Sequence, residues 1–126
     1  EIISNSDLLL IKTGFGKFRK NNPKLYGWNN PGFTRSAGNF LMEHKNIKAI
    51  GFDFASASAS QHLEEGIAFH QIVLGKDRLN DNAILIIEDM NLEKSLEGIQ
   101  RVFAFPLLIE GLDSGPATII AEFDDN

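Results

Sequence analysis

Three short runs, at residues 8–13, 47–54 and 83–88, are too rich in apolar side chains to alternate between a wet and a dry face. Strands of this kind have to be covered on both sides, which is the situation of a parallel sheet flanked by helices. Helical signals lie between them. Thr34 is placed to cap a helix running to about Lys45, with Phe40 and Leu41 expected toward the core. Leu63–Leu74 reads as a second helix, with Leu63, Ile67, Ile72 and Val73 roughly on one side and Gly75 as its stop. Strand, helix, strand, helix, strand predicts an α/β fold.

The remaining segments complete this outline. Residues 14–33 carry Gly14, Gly16, Pro23, Gly27, Pro31 and Gly32 and read as loop. Residues 100–109 and 117–123 read as two further strands joined by the turn Glu110-Gly-Leu-Asp-Ser-Gly-Pro116, close enough to be antiparallel, so a mixed sheet with short flanking helices is expected. That turn is read as a structural connection, with Gly111 and Gly115 free to take positive φ and Asp113 able to accept amide hydrogen bonds. No repeat or internal domain boundary stands out, and residues 1–126 are taken as one domain. Two short helices cannot cover both faces of such a sheet. An uncovered face would expose more than the few hundred Å2 of contiguous apolar surface that monomers tolerate. The fold is therefore expected to be incomplete without an N-terminal segment or another copy of the chain, and a strand so close to Glu1 fits a chain cut from a larger protein.

Composition narrows the functional classes. A net charge of −5 excludes a general nucleic-acid binder, which needs a dominant basic surface. The absence of cysteine removes disulfides, thiolate metal sites and thiol nucleophiles, and is compatible with a reducing, cytoplasmic setting. No apolar run is long enough to span a bilayer, so no membrane partner is expected.

Few motifs carry chemistry. Gly14-Phe-Gly16 follows a strand, but Arg19 stands where the third glycine of a dinucleotide-binding loop belongs. Lys17, Arg19, Lys20 and Lys24 form a basic cluster that reads as solvated loop. The serines at 56, 58 and 60 lack the context of a nucleophile elbow. His44 and His62 read as surface residues, and Tyr26 and Trp28 as anchors of the long loop or lining of an apolar pocket. His70, on the second helix, and Glu88, at the end of the third strand, are the pair to weigh. Such residues are most often structural or solvated. Against that, ligands collect at strand ends in α/β sheets, and imidazole with carboxylate is a common zinc or manganese ligand set.

Six ordered segments carry a family resemblance. Asp7-Leu-Leu-Leu-Ile-Lys-Thr-Gly14 resembles a strand ending in Arg-Thr-Gly, and Pro31-Gly32-Phe33 resembles a Pro-Gly-Leu-Ser entry into a helix. Ile47-Lys-Ala-Ile-Gly-Phe-Asp53, with Ser56 three residues on, is similar to Val-Lys-Ala-Val-Gly-Ile-Asp-x-x-Ser. His70-Gln-Ile-Val-Leu-Gly75 is similar to His-x-x-Leu-Leu-Gly, and Ile86-Ile-Glu88 with Asn91-Leu92 to Ile-Ile-Glu-x-x-Asn-Leu. Phe105-Pro-Leu-Leu-Ile-Glu-Gly-Leu-Asp-Ser-Gly-Pro116 resembles a closing Pro-Leu-x-Ile-Glu-Gly-x-Asp-x-x-Pro. Together they resemble the C-terminal half of the cyclase family that includes the bacterial kynurenine formamidases (arylformamidase-like), which are metal-dependent hydrolases. The segment at 76–82, between His70 and Glu88, is longer than in many relatives.

The resemblance implies a swivelling β/β/α-type fold, a homo-oligomer, a divalent metal (zinc or manganese) held in part by His70 and Glu88, and an amide, lactam or lactone as substrate. The family motif His-x-Gly-Thr-His-x-Asp-x-Pro-x-His, which supplies most ligands and the catalytic histidine, does not occur in these 126 residues. The general base is therefore expected in an N-terminal segment of the same protein, and no catalytic residue is assigned here. The alternative is a non-catalytic binding or structural module derived from the same fold.

Overall fold

The computed structural model describes residues 5–75 and 83–124. It divides into two compact units, Glu1–Lys94 and Ser95–Asn126. The class is α/β, as the strand and helix order predicts. Parallel and antiparallel pairings occupy two separate sheets instead of one mixed sheet.

In the first unit, strands β1 (Leu8–Ile11), β2 (Ala49–Phe52) and β3 (Leu85–Ile87) form a parallel sheet in the order β1-β2-β3. The register pairs Ile50 with Leu9 and with Ile86, so these side chains share one face. Ile50, Phe52, Phe69, Val73 and Ile84 are its most deeply buried side chains, and Leu9, Ile11, Phe33 and Ile86 pack around them. On the opposite face a Cβ at Gly51 would lie 2.3 Å from Met90 Sδ and 3.0 Å from Leu10 Cδ2. Those two residues cover the centre of that face, while Leu85 at the edge is 65% exposed.

Among the described residues, four α-helices accompany this sheet: α1 (Phe18–Asn21), α2 (Pro23–Trp28), α3 (Arg35–Glu43) and α4 (Leu63–Leu74). Thr34 caps α3 as expected, its hydroxyl accepting from Ala37 N at 3.3 Å. Gly75 ends α4 at φ 75°. The two helices meet at Gly38, where a Cβ would come within 3.2 Å of Ile72 and 3.3 Å of Phe69. This contact fixes the inner face of α3 on Gly38 and Leu41. Phe40 turns outward and its ring lies edge-on to His44, 4.7 Å away, which corrects its expected place in the core. Leu63 and Ile67 are likewise exposed, because α4 presents Gly66, Phe69 and Val73 to the core.

Residues 15–28, expected as loop, instead fold into a short 3-10 turn followed by α1 and α2. In the second unit β4 (Ile99–Pro106) and β5 (Ala117–Phe123) pair antiparallel, as expected, with Val102 opposite Ala121. Leu107 N donates to Pro116 O at 2.9 Å to close the connection, and Gly111 takes φ 83°. Gly115 does not adopt positive φ; a Cβ there would lie 3.0 Å from Leu107 O. Asp113 accepts from the Ser114 hydroxyl at 3.3 Å.

Candidate metal centre

Because β1, β2 and β3 are parallel, their C-terminal ends share one edge of the sheet, and the segments leaving them converge there. Asp53, one residue beyond β2, ties the first two together. Its Oδ1 accepts from Thr13 N at 2.9 Å and Thr13 Oγ1 at 2.6 Å, and its Oδ2 accepts from Gly14 N at 2.7 Å. Burial alone would raise this carboxyl's pKa, but the hydrogen bonds from Thr13, Gly14 and Gly16 outweigh it and hold the group below its ordinary value.

The segment after Asp53 is pinned from two further directions. Buried Asn30 donates through Nδ2 to Pro31 O, Ser56 O and Ser58 O at 2.8, 2.9 and 3.1 Å. Phe33 N donates to Ala57 O at 2.8 Å, and Gly32 lies so close that a Cβ would stand 2.4 Å from Ala59 N.

Onto this fixed turn come the two residues singled out by pattern. Glu88 follows β3 directly, and its Oε1 accepts from Ala57 N at 2.7 Å and from Ser56 Oγ at 3.4 Å. His70 sits in the middle of α4 with its Nδ1 2.8 Å from Gly66 O and 3.5 Å from Ser58 Oγ. A carbonyl oxygen can only accept, so Nδ1 carries the proton and the lone pair of the neutral ring is at Nε2. Nε2 lies 3.8 Å from Glu88 Oε1. Both side chains are about one-third exposed, enough for a small ion or molecule to reach them.

That arrangement passes a simple fit test. Nitrogen and oxygen ligands sit about 2.0–2.2 Å from a bound zinc ion, so two donors of one ion are roughly 3–4 Å apart. The backbone carbonyl behind Nδ1 is the kind of partner that orients metal-bound imidazoles. Among the described residues, no group of three or more His, Asp or Glu side chains gathers here or elsewhere. The pair can supply part of a metal's coordination and no more.

Comparison with known proteins bears on the same ground. Residues 1–59 match the sequence model of the family described as "Putative cyclase". Over those residues the chain is similar to the cyclase family. Three curated relatives from Oryza sativa subsp. japonica agree. Cyclase-like protein 3 is 27% identical over 89 residues, covering 71% of this chain and 30% of the relative. Cyclase-like proteins 2 and 1 are 26% and 27% identical over the same shares. The chain thus spans about 30% of the length of the curated relatives it matches. No solved structure matches. The match to the cyclase family model ends before His70, so the pairing of His70 with Glu88 stands on the geometry above.

Of the other sequence candidates, His62 is exposed and helps line a hollow of about 500 Å3 with Asn29, Phe33, Gln61 and Glu65, away from any cluster of ligating groups among the described residues. His44 terminates α3. Tyr26 is a buried anchor, whereas Trp28 is 69% exposed. Arg19, read as part of a solvated cluster, is exposed and also pairs with Asp89. Asn30 reads in the sequence only as a breaker of the 14–33 loop, and Asp89 carries no reading of its own. The signal for Asp89 is its adjacency to Glu88, and for Asn30 there is none beyond its place before Pro31-Gly32.

Among the described residues, no helix is long and apolar enough to cross a bilayer.

Proposed function

We propose that this chain contributes His70 and Glu88 to the divalent-metal centre, zinc or manganese, of a hydrolase acting on an amide, a cyclic amide or a cyclic ester. The observation that carries the reading is the orientation of His70: its Nδ1–H is committed to Gly66 O, which leaves Nε2 facing the Glu88 carboxylate at 3.8 Å. Similarity to the cyclase family over part of the chain supports an enzyme rather than a non-catalytic module.

A bound divalent ion in such a site supplies Lewis-acid polarisation of a carbonyl and lowers the pKa of water to about 7. The residues of this chain hold and orient. Gly66 O fixes the histidine tautomer, and Ala57 N with Ser56 Oγ fixes the Glu88 carboxylate. Further ligands and the general base come, in this proposal, from protein outside these 126 residues, and the working form is a homo-oligomer, with no nucleic acid or membrane as partner and a cytoplasmic location.

The test is Glu88→Gln in the protein that carries this chain. Partners that merely support a ligand contribute about 10- to 100-fold to metal affinity or activity, so loss of a ligand itself should lower metal content and turnover of formanilide, lactam or lactone probes by at least about 100-fold. Unchanged metal content and turnover would overturn the assignment.

A further inference from the structure

Asp89 has a positive φ of 61°, the one non-glycine residue with that backbone among the described residues. Left-handed backbone is avoided by L-residues other than Asn and Asp, and glycine is its natural occupant. Here the aspartate side chain is in use. Arg19 donates through Nη2 to both the main-chain oxygen and the carboxylate Oδ1 of Asp89, and the Tyr26 hydroxyl donates to the same Oδ1. The guanidinium lies 5.7 Å from the Tyr26 ring centre, and that ring stacks on Phe15 at 6.0 Å. The Tyr26 phenol, pushed up to about 12 by burial and by the bond to Asp89, stays protonated and donating across the ordinary pH range.

The main chain around Glu88 is held on both sides. Before it, Ile87 pairs with Gly51 in the sheet. After it, Asp89 N donates to Phe54 O at 3.0 Å and Met90 N to Phe52 O at 2.8 Å. The reversal at Asp89 therefore sets the direction in which Glu88 leaves β3 and reaches Ala57 N. We infer that Asp89, clamped by Arg19 and Tyr26, is a positioning residue that aims the Glu88 carboxylate at the His70 side of the site. The inference rests on the metal-centre reading above.

Asp89→Gly separates the clamp from the mere need for left-handed backbone, because glycine meets that need better than aspartate does. The experiment measures Mn2+ and Zn2+ affinity by chelator competition in the protein that carries this chain, alongside thermal melting. Asp89→Gly is expected to weaken metal binding about 10- to 100-fold, the range for residues that orient a ligand, with Tyr26→Phe and Asp89→Asn shifted in the same direction by less. Wild-type affinity in a folded Asp89→Gly protein overturns the inference. If that variant does not fold, wild-type affinity in both Asp89→Asn and Tyr26→Phe overturns it instead. A Glu88→Gln protein that binds both metals as tightly as wild type sinks the metal-centre reading itself, and the positioning role with it.

Discussion

Asp53 joins β1 to β2 by occupying both carboxylate oxygens with donors from Thr13 and Gly14. Only 3% of the residue is exposed, whereas Thr13 and Gly14 are themselves exposed, so water can partly replace the lost acceptor. Removing the acceptor in Asp53→Ala should cost about 1.5–3 kcal/mol in urea unfolding, the range for hydrogen bonds to a charged group. The lowered pKa adds a pH signature. The folded state binds fewer protons than the unfolded state between the two values. The contribution is therefore complete above the unfolded carboxyl value near 4 and is lost as pH falls through the depressed folded value. Asp53→Asn, which cannot ionise, should flatten the acid limb of the melting temperature below about pH 4. An acid limb as steep as wild type would show that this carboxylate is not the one engaged. The sequence pattern placed Asp53 in a recognised segment, yet nothing local announced its bonds to residues some 40 positions away.

At the scale of elements, α4 approaches the 56–58 turn so closely that a Cβ on Gly66 would fall 2.3–2.5 Å from Ser58 Oγ, Cα and Cβ. Helix propensity alone would make Gly66→Ala stabilising by about 1 kcal/mol. The collision with Ser58 backbone cannot be relieved by a rotamer change, so the variant should instead be destabilised, by about 1–3 kcal/mol on thermal melting. It should also displace the turn that holds Glu88. A more stable Gly66→Ala protein would contradict the close approach. The ends of α3 and α4 were legible because Thr34 and Gly75 are strong local signals. The helices at 18–28 were not, because Gly14, Pro23 and Gly27 look like breakers. Pro23 occupies the first position of α2, where a missing N–H costs nothing, and Asn22 caps it by accepting from Leu25 N at 3.1 Å. Phe40 was misplaced because periodicity cannot choose between adjacent faces; Gly38 against Ile72 and Phe69 makes that choice.

For the whole molecule, the class, the parallel sheet and the antiparallel hairpin follow from the apolar runs and the short connection between the last two. Their division into two sheets does not, because strand pairing between distant segments leaves no local trace. The candidate site shows the same split. His70 and Glu88 were legible as residues, while the carbonyl, amide and carboxamide groups that orient them belong to Gly66, Ala57 and Asn30, which carry no chemical signature in sequence. In the proposed function, His70 and Glu88 bind one divalent ion. Metal-edge X-ray absorption on the zinc- or manganese-loaded protein that carries this chain reads that claim directly. The bound ion should show imidazole scattering that diminishes in His70→Ala, and a nitrogen-oxygen shell that loses a ligand in Glu88→Gln. Spectra identical in wild type and both variants at equal metal loading would contradict it.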